Sequence, residues 1–307
     1  MILLTAMPPN DTPGAVPTTP VVRHLAEQLL SEGKRVRALV PESEAGGWPQ
    51  NVDTVIGAVT EPDITPAAFG SIEAICIAGL VSFIPEKLRE LANLIIRGGV
   101  KRAVILFSHG SDLETEYSPE TWQWLAFEQA MKKHRIEWTY VRPTGLFGNA
   151  FAGGYPITNA RWAETVRAGS PIREYRPDVA TLFMDEMDVA EVIAKVLLQG
   201  GRNEEVLDIG GVFSSARERL EELSKALNTM VAFEPLQSKG EARSYWSGIG
   251  YSDLMIDVTL FIADAYTENQ DVNRETLIEQ HRLTELILGR PPRTYQDWLK
   301  SNIQRFR

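Results

Sequence analysis

Residues 1–40 read MILLTAMPPNDTPGAVPTTPVVRHLAEQLLSEGKRVRALV and decide the fold class. The apolar run Met1–Leu4 is typical of a short buried strand. Val21–Glu32 carries apolar residues at helical spacing and stops at Gly33, a good helix C-terminal cap. Arg35–Val40 then predicts a second buried strand. A strand, a helix and a strand in this order indicate a parallel pair joined by a crossover helix.

The same alternation continues along the chain. Further strands are predicted at Thr54–Gly57, Ala74–Ala78, Ala103–Phe107, Trp138–Arg142, Thr181–Met184 and Val206–Ile209. Helices are predicted at Pro66–Phe69, Pro85–Arg97, Pro119–His134, Met187–Leu198, Ala216–Leu227, Leu254–Tyr266, Arg274–Leu288 and Thr294–Ile303. We expect an α/β fold in which residues 1–150 form a Rossmann-like doubly wound parallel sheet. Residues 151–307 are expected to form a smaller, mostly helical substrate lobe, interleaved with the last sheet strands. Gly153–Gly154 and Ser244–Tyr251 are predicted to be flexible or substrate-facing loops.

Composition excludes several classes of protein. A formal charge of −10 and a pI near 5.1 argue against nucleic acid or an anionic membrane as a partner. Cys76 is the single cysteine, and the four histidines form no close pair, so we expect no disulfide framework and no metal site. With no apolar run long enough to span a membrane, a soluble cytoplasmic protein is expected. The helix near Arg274–Leu288 allows a homodimer.

Four short motifs resemble one known superfamily. They are Val36-Arg-Ala-Leu-Val40, Glu137-Trp-Thr-Tyr-Val-Arg-Pro-Thr144, Asp185-Glu-Met-Asp-Val-Ala190 and Arg293-Thr-Tyr-Gln-Asp-Trp298. In this order and spacing the chain resembles the atypical short-chain dehydrogenase/reductases, in particular NmrA-like proteins and NAD(P)H-dependent quinone or azo reductases. The resemblance covers nearly the whole chain and implies a Rossmann-like fold.

Several functional positions of that superfamily carry other residues here. The last two glycines of its phosphate-binding T-G-x-x-G-x-x-G turn align with Thr19 and Val22, and the basic residue after its second strand aligns with Pro41. Its adenine-contacting G-D pair becomes Gly57-Ala58, and its catalytic Lys and Tyr align with Trp124 and Glu120. Of the superfamily's catalytic residues only the serine is retained, at Ser108.

The turn after the first strand is rich in proline. Five prolines remove backbone donors between Thr5 and the helix, and Gly14 is the only glycine there. Because diphosphate binding needs amide donors and close backbone approach, we predict that dinucleotide binding is lost or severely weakened and that no cofactor is used. If a dinucleotide does bind, Thr5, Gly14 and Thr19 are the candidates to hold it. The turn is either a rigid surface loop or a segment that shapes a new pocket.

Candidate catalytic residues follow the strand that ends at Phe107. Parallel α/β sheets bind ligands at the carboxyl ends of their strands, which places Ser108 and His109 beside the site. His109 is the first candidate for proton transfer, because an imidazole titrates near neutral pH. Tyr117 and Glu120 are further acid/base candidates.

An aromatic-lined site is predicted for a hydrophobic small-molecule substrate. Its candidate residues are Trp124, Thr144, Phe147, Asn149, Phe151, Tyr155, Tyr245, Trp246 and Tyr251. The favoured function is therefore a cofactor-independent, non-redox enzyme that catalyses cyclisation, isomerisation, dehydration or rearrangement, in secondary metabolism, by acid/base catalysis. One alternative is an NAD(P)H-dependent reductase with an unusual phosphate loop. The other is a non-catalytic NmrA-like regulatory or binding protein.

Overall fold

A computed structural model of the chain describes residues 1–6, 18–57, 66–78, 85–106, 129–268 and 270–307. By internal contacts the chain forms two compact units. The first contains Pro17–Pro143 and Val189–Asp208 together with the first strand. The second contains Thr144–Asp188 and Ile209–Arg307. The domain boundary at residue 150 stays a prediction.

Twelve strands and nine helices lie within the described ranges. The strands are β1 (Ile2–Thr5), β2 (Val36–Val40), β3 (Asp53–Ile56), β4 (Ala74–Ala78), β5 (Arg102–Leu106), β6 (Glu137–Pro143), β7 (Gly145–Leu146), β8 (Ile172–Tyr175), β9 (Thr181–Met184), β10 (Glu205–Ile209), β11 (Val212–Ser214) and β12 (Phe233–Leu236). The helices are α1 (Thr19–Ser31), α2 (Pro85–Arg97), α3 (Trp162–Arg167), α4 (Glu186–Gln199), α5 (Ala216–Leu227), α6 (Lys239–Gly248), α7 (Asp253–Glu268), α8 (Gln270–Leu288) and α9 (Tyr295–Asn302). Residues 129–133 are also helical.

The first unit is built on one seven-stranded sheet. Its strand order is β10-β6-β5-β4-β1-β2-β3. The pairs from β6 through to β3 are parallel, and Ile2 of the central strand β1 lies between Val36 and Ala74. The predicted Rossmann-like parallel sheet is therefore confirmed. The order of the strands reverses between β1 and β4, which is where such sheets bind their ligands.

Helix α1 packs on this sheet through one apolar stripe. Val22, Leu25 and Leu29 recur at helical spacing and are fully buried. The helix ends at Ser31, and Gly33 follows with a φ of 70°, a left-handed conformation that glycine adopts at no steric cost. The stripe aligns the N-terminus of the helix with the carboxyl ends of the strands.

The second unit contains two small sheets and a cluster of aromatic side chains. Strands β11, β9 and β7 form one sheet, and β12 pairs with β8 in parallel. In the cluster, Trp298 stacks on Tyr295 with ring centroids 5.5 Å apart, and Phe147 lies 5.0 Å from Tyr295. Such pairs stabilise a core beyond the apolar area that they bury.

Two predicted loops are regular or buried in the structure. Helix α6 runs through Tyr245 and Trp246, so the prediction of a loop over Ser244–Tyr251 is wrong. The Ser238 side chain accepts a hydrogen bond from the Glu241 backbone N–H at 3.2 Å and begins this helix. Gly153 and Gly154 are buried rather than exposed in a flexible loop.

Glu186 is a buried carboxyl at the start of α4. It accepts a hydrogen bond from Trp298 Nε1 at 3.0 Å, and a Cβ on Gly148 would lie 1.8 Å from its Oε1, so only glycine fits there. Burial, and secondarily the charge of Asp185, raises the pKa of Glu186 to about 7. The folded protein thus binds this proton more tightly than the unfolded chain.

We expect stability to fall as the pH rises through this range. The contribution of Glu186 is fully present below its ordinary pKa of 4.5 and is lost as the pH passes about 7. Glu186→Gln should therefore flatten the dependence of unfolding free energy on pH, by up to about 3 kcal/mol, in urea titrations across this range. Glu164→Gln, at an exposed carboxyl of the same unit, is the control. An unchanged slope in Glu186→Gln would contradict the assignment.

Candidate functional site

The carboxyl ends of β1 and β4 meet the start of α1 at Ala78. The Ala78 backbone N–H donates to Thr5 Oγ1 at 3.1 Å, and Thr18 Oγ1 donates to the Ala78 carbonyl at 3.4 Å. Thr5 and Thr18 are both buried. These bonds hold the strand ends and the helix start together at the point where the strand order reverses, which is the expected position of a ligand crevice.

The first turn of α1 is suited to an anionic ligand. Thr18 precedes the helix, and its side chain does not cap it. Thr19 and Val21 carry backbone N–H groups, whereas Pro20 between them has none. The positive end of the helix dipole lies at this turn, and phosphate groups bind at such termini. Thr5 and Thr19 therefore lie where the sequence suggested, while Gly14 is outside the described residues.

The rim after β2 is acidic. Pro41 follows the strand, and a single 3₁₀ turn spans Glu42–Glu44. Arg23 of α1 donates to Glu44 Oε2 at 3.0 Å and to the Gly46 carbonyl at 2.6 Å. Glu44 therefore compensates the charge of Arg23, and the exposed Glu42 leaves the rim with a net negative charge.

The predicted catalytic residues cannot be placed. Ser108, His109, Tyr117 and Glu120 lie outside the described residues, as does Trp124 of the substrate set. Strand β5 ends at Leu106, directly before this segment. Their roles stay predictions.

The remaining predicted substrate residues all belong to the second unit, where they fall into separate groups. Phe147 is fully buried in the aromatic cluster, and the half-buried Phe151 lies on its edge, 5.2 Å from Trp298. Trp246 is 1% exposed and packs 6.4 Å from Tyr175. Tyr245 is half-buried, with the Arg173 guanidinium 5.3 Å above its ring.

Polar members of the set bind backbone or neighbouring side chains. Asn149 Nδ2 donates to Thr158 Oγ1 at 3.0 Å, and the Tyr155 carbonyl accepts from the same hydroxyl at 2.7 Å. Tyr251 is buried and donates its hydroxyl to the Gly154 carbonyl at 3.2 Å, and burial raises its pKa to about 12. These contacts fold the segment after β7. A role in substrate binding stays a prediction for each of them.

Thr144 differs from these residues. It follows β6, and its backbone N–H donates to the Ile209 carbonyl at 3.0 Å. Its Oγ1 is buried and has no hydrogen-bond partner in the part of the chain that the structure describes. An unsatisfied buried hydroxyl is costly, so Thr144 keeps its standing as a candidate ligand contact.

Asp188, Glu174 and Arg219 are among the buried charged residues that the sequence analysis did not assign to a site. Asp188 is fully buried and accepts from Arg290 Nη2 at 2.7 Å and from the Arg293 backbone N–H at 2.6 Å, so it ties the C-terminal segment to the start of α4. Glu174 and Arg219 are each 2% exposed. Both occupy apolar positions in their elements, Glu174 on the same face of β8 as Ile172 and Arg219 on the buried stripe of α5. A charged residue at a position where the pattern expects an apolar one is the sequence signal that could have identified Glu174 and Arg219.

Neither a metal-ligating cluster nor a membrane-spanning helix occurs in the described ranges. No group of three or more His, Cys, Asp or Glu side chains there could hold a metal ion. No helix in those ranges is long and apolar enough to cross a membrane. Cys76 is a buried free thiol, and burial raises its pKa to about 12.

Comparison with known proteins identifies the scaffold. A family model described as NAD(P)H-binding matches residues 18–199, well over half of the chain. An NAD(P)H azoreductase from Xenophilus azovorans is 23% identical over 93% of this chain and 94% of its own length. A (4-alkanoyl-5-oxo-2,5-dihydrofuran-3-yl)methyl phosphate reductase from Streptomyces griseus is 25% identical, but the match spans only 58% of either chain.

Solved structures agree in fold. An NADPH-dependent quinone oxidoreductase from Escherichia coli superposes with a TM-score of 0.65, covering 98% of this chain and 99% of its own at 15% identity. The Citrobacter sp. triphenylmethane reductase complexed with NADP(H) gives 0.66 with the same coverage and identity. At 15% sequence identity, these structural matches show that the chains share a fold.

These matches correct two expectations. The prediction of a non-redox, cofactor-independent cyclase or isomerase in secondary metabolism is wrong, because the relatives are NAD(P)H-dependent or other reductases. The prediction that no cofactor is used is wrong for the same reason. That prediction rested on the missing glycines of the turn after the first strand. The matched region starts at residue 18, after that turn, so the turn is not part of the match. The chain belongs to the NAD(P)H-binding family, which agrees with the resemblance to NAD(P)H-dependent reductases noted in the sequence.

Proposed function

We propose that this protein is an NAD(P)H-dependent reductase of conjugated organic acceptors such as quinones, azo compounds or triphenylmethane dyes. One observation carries the proposal: the NAD(P)H-binding family match covers residues 18–199, which include α1 and β4 at the crevice and the neighbouring strands β2, β3, β5 and β6. The acceptor class rests on the names of the azoreductase, quinone oxidoreductase and triphenylmethane reductase that the chain resembles.

The residues at the crevice fit a dinucleotide. The first turn of α1 carries the Val21 amide and the positive end of the helix dipole, which suit the diphosphate oxygens, and Thr5 and Thr18 fix that turn against the sheet. The rim after β2 offers the Glu42 carboxylate to ribose hydroxyls. When bound, the dinucleotide supplies a hydride to the acceptor.

The acceptor needs an apolar surface and a proton donor. Phe147 and Trp246 are enclosed by the core, whereas Phe151 and Tyr245 are half-buried. Trp298 and Arg305 already lie against the Phe151 ring and Arg173 lies over Tyr245, so a flat acceptor that stacks on either ring would have to displace one of these contacts. A quinone or azo group that takes up a hydride also needs a proton. His109 is proposed for this step, because an imidazole can donate a proton near neutral pH.

The first prediction concerns turnover. Purified protein with NADH should reduce menadione or methyl red, followed as loss of the nicotinamide absorbance. His109→Ala should lower kcat by about 10²-fold, the usual effect of removing a general acid. His134→Ala, at an exposed position, is the matched control and should keep full activity. Binding of NADH or NADPH without reduction of any quinone, azo compound or dye would favour the regulatory alternative, and absence of binding of both coenzymes would overturn the proposal.

The second prediction concerns the choice of coenzyme. The 2′-phosphate of NADPH would meet the net negative rim at Glu42, whereas the 2′-hydroxyl of NADH can donate to a carboxylate. We therefore expect NADH to bind about tenfold more tightly than NADPH, since like charges about 4 Å apart repel by at least ~1 kcal/mol.

Glu42→Arg should reverse this preference in calorimetric titrations of both coenzymes. Glu32→Arg makes the same change of charge at the opposite edge of the sheet, before β2 begins, and should leave the preference unchanged. Tighter binding of NADPH to the unaltered protein would show that Arg23, despite its pairing with Glu44, governs this rim.

A further inference from the structure

The second unit contains a cavity of about 30 Å³ lined by charged and apolar side chains. Its charged and hydroxyl lining comes from Glu174, Arg176, Thr181 and Arg219, and Tyr175 and four aliphatic side chains complete the wall. A space of about 10–15 Å³ holds one water molecule, so the cavity is large enough for a group of a few heavy atoms. Arg176 and Thr181 are half-buried and lie toward solvent, whereas Glu174 and Arg219 are buried.

The Arg219 guanidinium is held in place by two hydrogen bonds that leave some of its N–H donors unused. Its Nε donates to Asn159 Oδ1 at 2.9 Å and its Nη1 to the Ser214 carbonyl at 2.7 Å. The guanidinium carbon lies 3.7 Å from the ring centroid of Phe183 and 5.7 Å from that of Trp162. Its other terminal nitrogen, Nη2, donates to no residue that the structure describes. Stacking and two hydrogen bonds thus fix the plane of the guanidinium, and Arg219 also lines the cavity.

Glu174 is the second buried charge at this cavity. Its Oε1 accepts from Trp162 Nε1 at 2.7 Å, and its Oε2 has no partner within the described part of the chain. No ion pair within 4 Å joins Glu174 to Arg219 there, although both line the same space. Burial raises the pKa of Glu174 to about 7 and lowers that of Arg219 to about 10. Each group feels the charge of the other, but no hydrogen-bonded ion pair joins them, so the cavity between them can accept a further polar partner.

We infer that this cavity binds the carboxylate of a small organic acid, with the Arg219 guanidinium as its main donor and Glu174 as a second hydrogen-bond partner. A planar two-oxygen group matches a guanidinium fork, and its size matches the cavity. A phosphate would bring more negative charge against Glu174 and more volume. The inference concerns a site within the second unit and does not depend on the proposed reductase activity.

Binding should depend on pH with a definite sign. Glu174 faces Arg219, Arg176 and the hydroxyls of Tyr245 and Tyr251. When Glu174 is protonated it donates a hydrogen bond and the cavity carries the positive charge of Arg219. When Glu174 ionises it repels a carboxylate. Affinity should therefore fall by about tenfold between about pH 6 and about pH 8.

The test is a titration with acetate followed at the indole N–H resonance of Trp162, assigned with Trp162→Phe. Because that N–H donates to Glu174, occupation of the cavity should shift it saturably, and acetamide, the neutral isostere, should not. Arg219→Lys keeps the charge without the fork and should weaken acetate at least about tenfold. Arg217→Lys, two residues earlier and exposed, should bind as the unaltered protein does.

If Arg219→Lys does not fold, Glu174→Gln provides a second test of the inference. It keeps an oxygen to accept from Trp162 but cannot ionise, so its affinity for acetate at about pH 8 should match that at about pH 6. Absence of a saturable shift at about pH 6 would overturn the inference. So would acetate binding of unchanged strength in Arg219→Lys, or a pH dependence that persists in Glu174→Gln.

Discussion

The hydrogen bonds between the Ala78 backbone and the side chains of Thr5 and Thr18 fix the site in the first unit. They join the ends of two adjacent parallel strands to the start of the helix that follows the first of them. The crevice is therefore defined by strand order and by two threonines on either side of the turn. A dinucleotide needs the helix terminus and the strand ends in this arrangement, and both are present without a glycine at residue 19 or 22.

Buried charge in the second unit is handled in three different ways. Asp188 is compensated fully, by two arginines and a backbone N–H, and its role is to hold the C-terminal segment. Glu186 is compensated by neutral donors and by a pKa raised toward neutrality. Glu174 and Arg219 share a cavity without forming an ion pair. Since the chain satisfies the first two carboxyls so completely, the incomplete satisfaction of the last pair marks a place for a ligand.

The fold could be predicted closely where apolar periodicity is strong. The bounds of β4, α2, β9 and α5 agree with the runs seen in the sequence, because each presents a continuous or evenly spaced buried face. Helix α6 was missed because its aromatic residues suggested a ligand loop. Its capping signal, Ser238 followed three residues later by Glu241, is the same one that begins α5 at Ser215 and Glu218. The short strands β8 and β12 have too few residues for alternation to stand out, and their pairing depends on long-range contacts.

The sequence-based prediction that no cofactor is used was wrong, and the reason is physical. Glycine in a phosphate turn allows close backbone approach, but the electrostatic attraction comes from the helix terminus, which survives the loss of a single amide at Pro20. The number of glycines in the turn reports on close backbone approach but not on the electrostatic attraction of the helix terminus. The sequence analysis did not identify Arg219 and Glu174 as site residues, for a different reason. Each stands at a position that periodicity assigns to the core, and only the folded structure shows that two such residues from β8 and α5 line one cavity without neutralising each other.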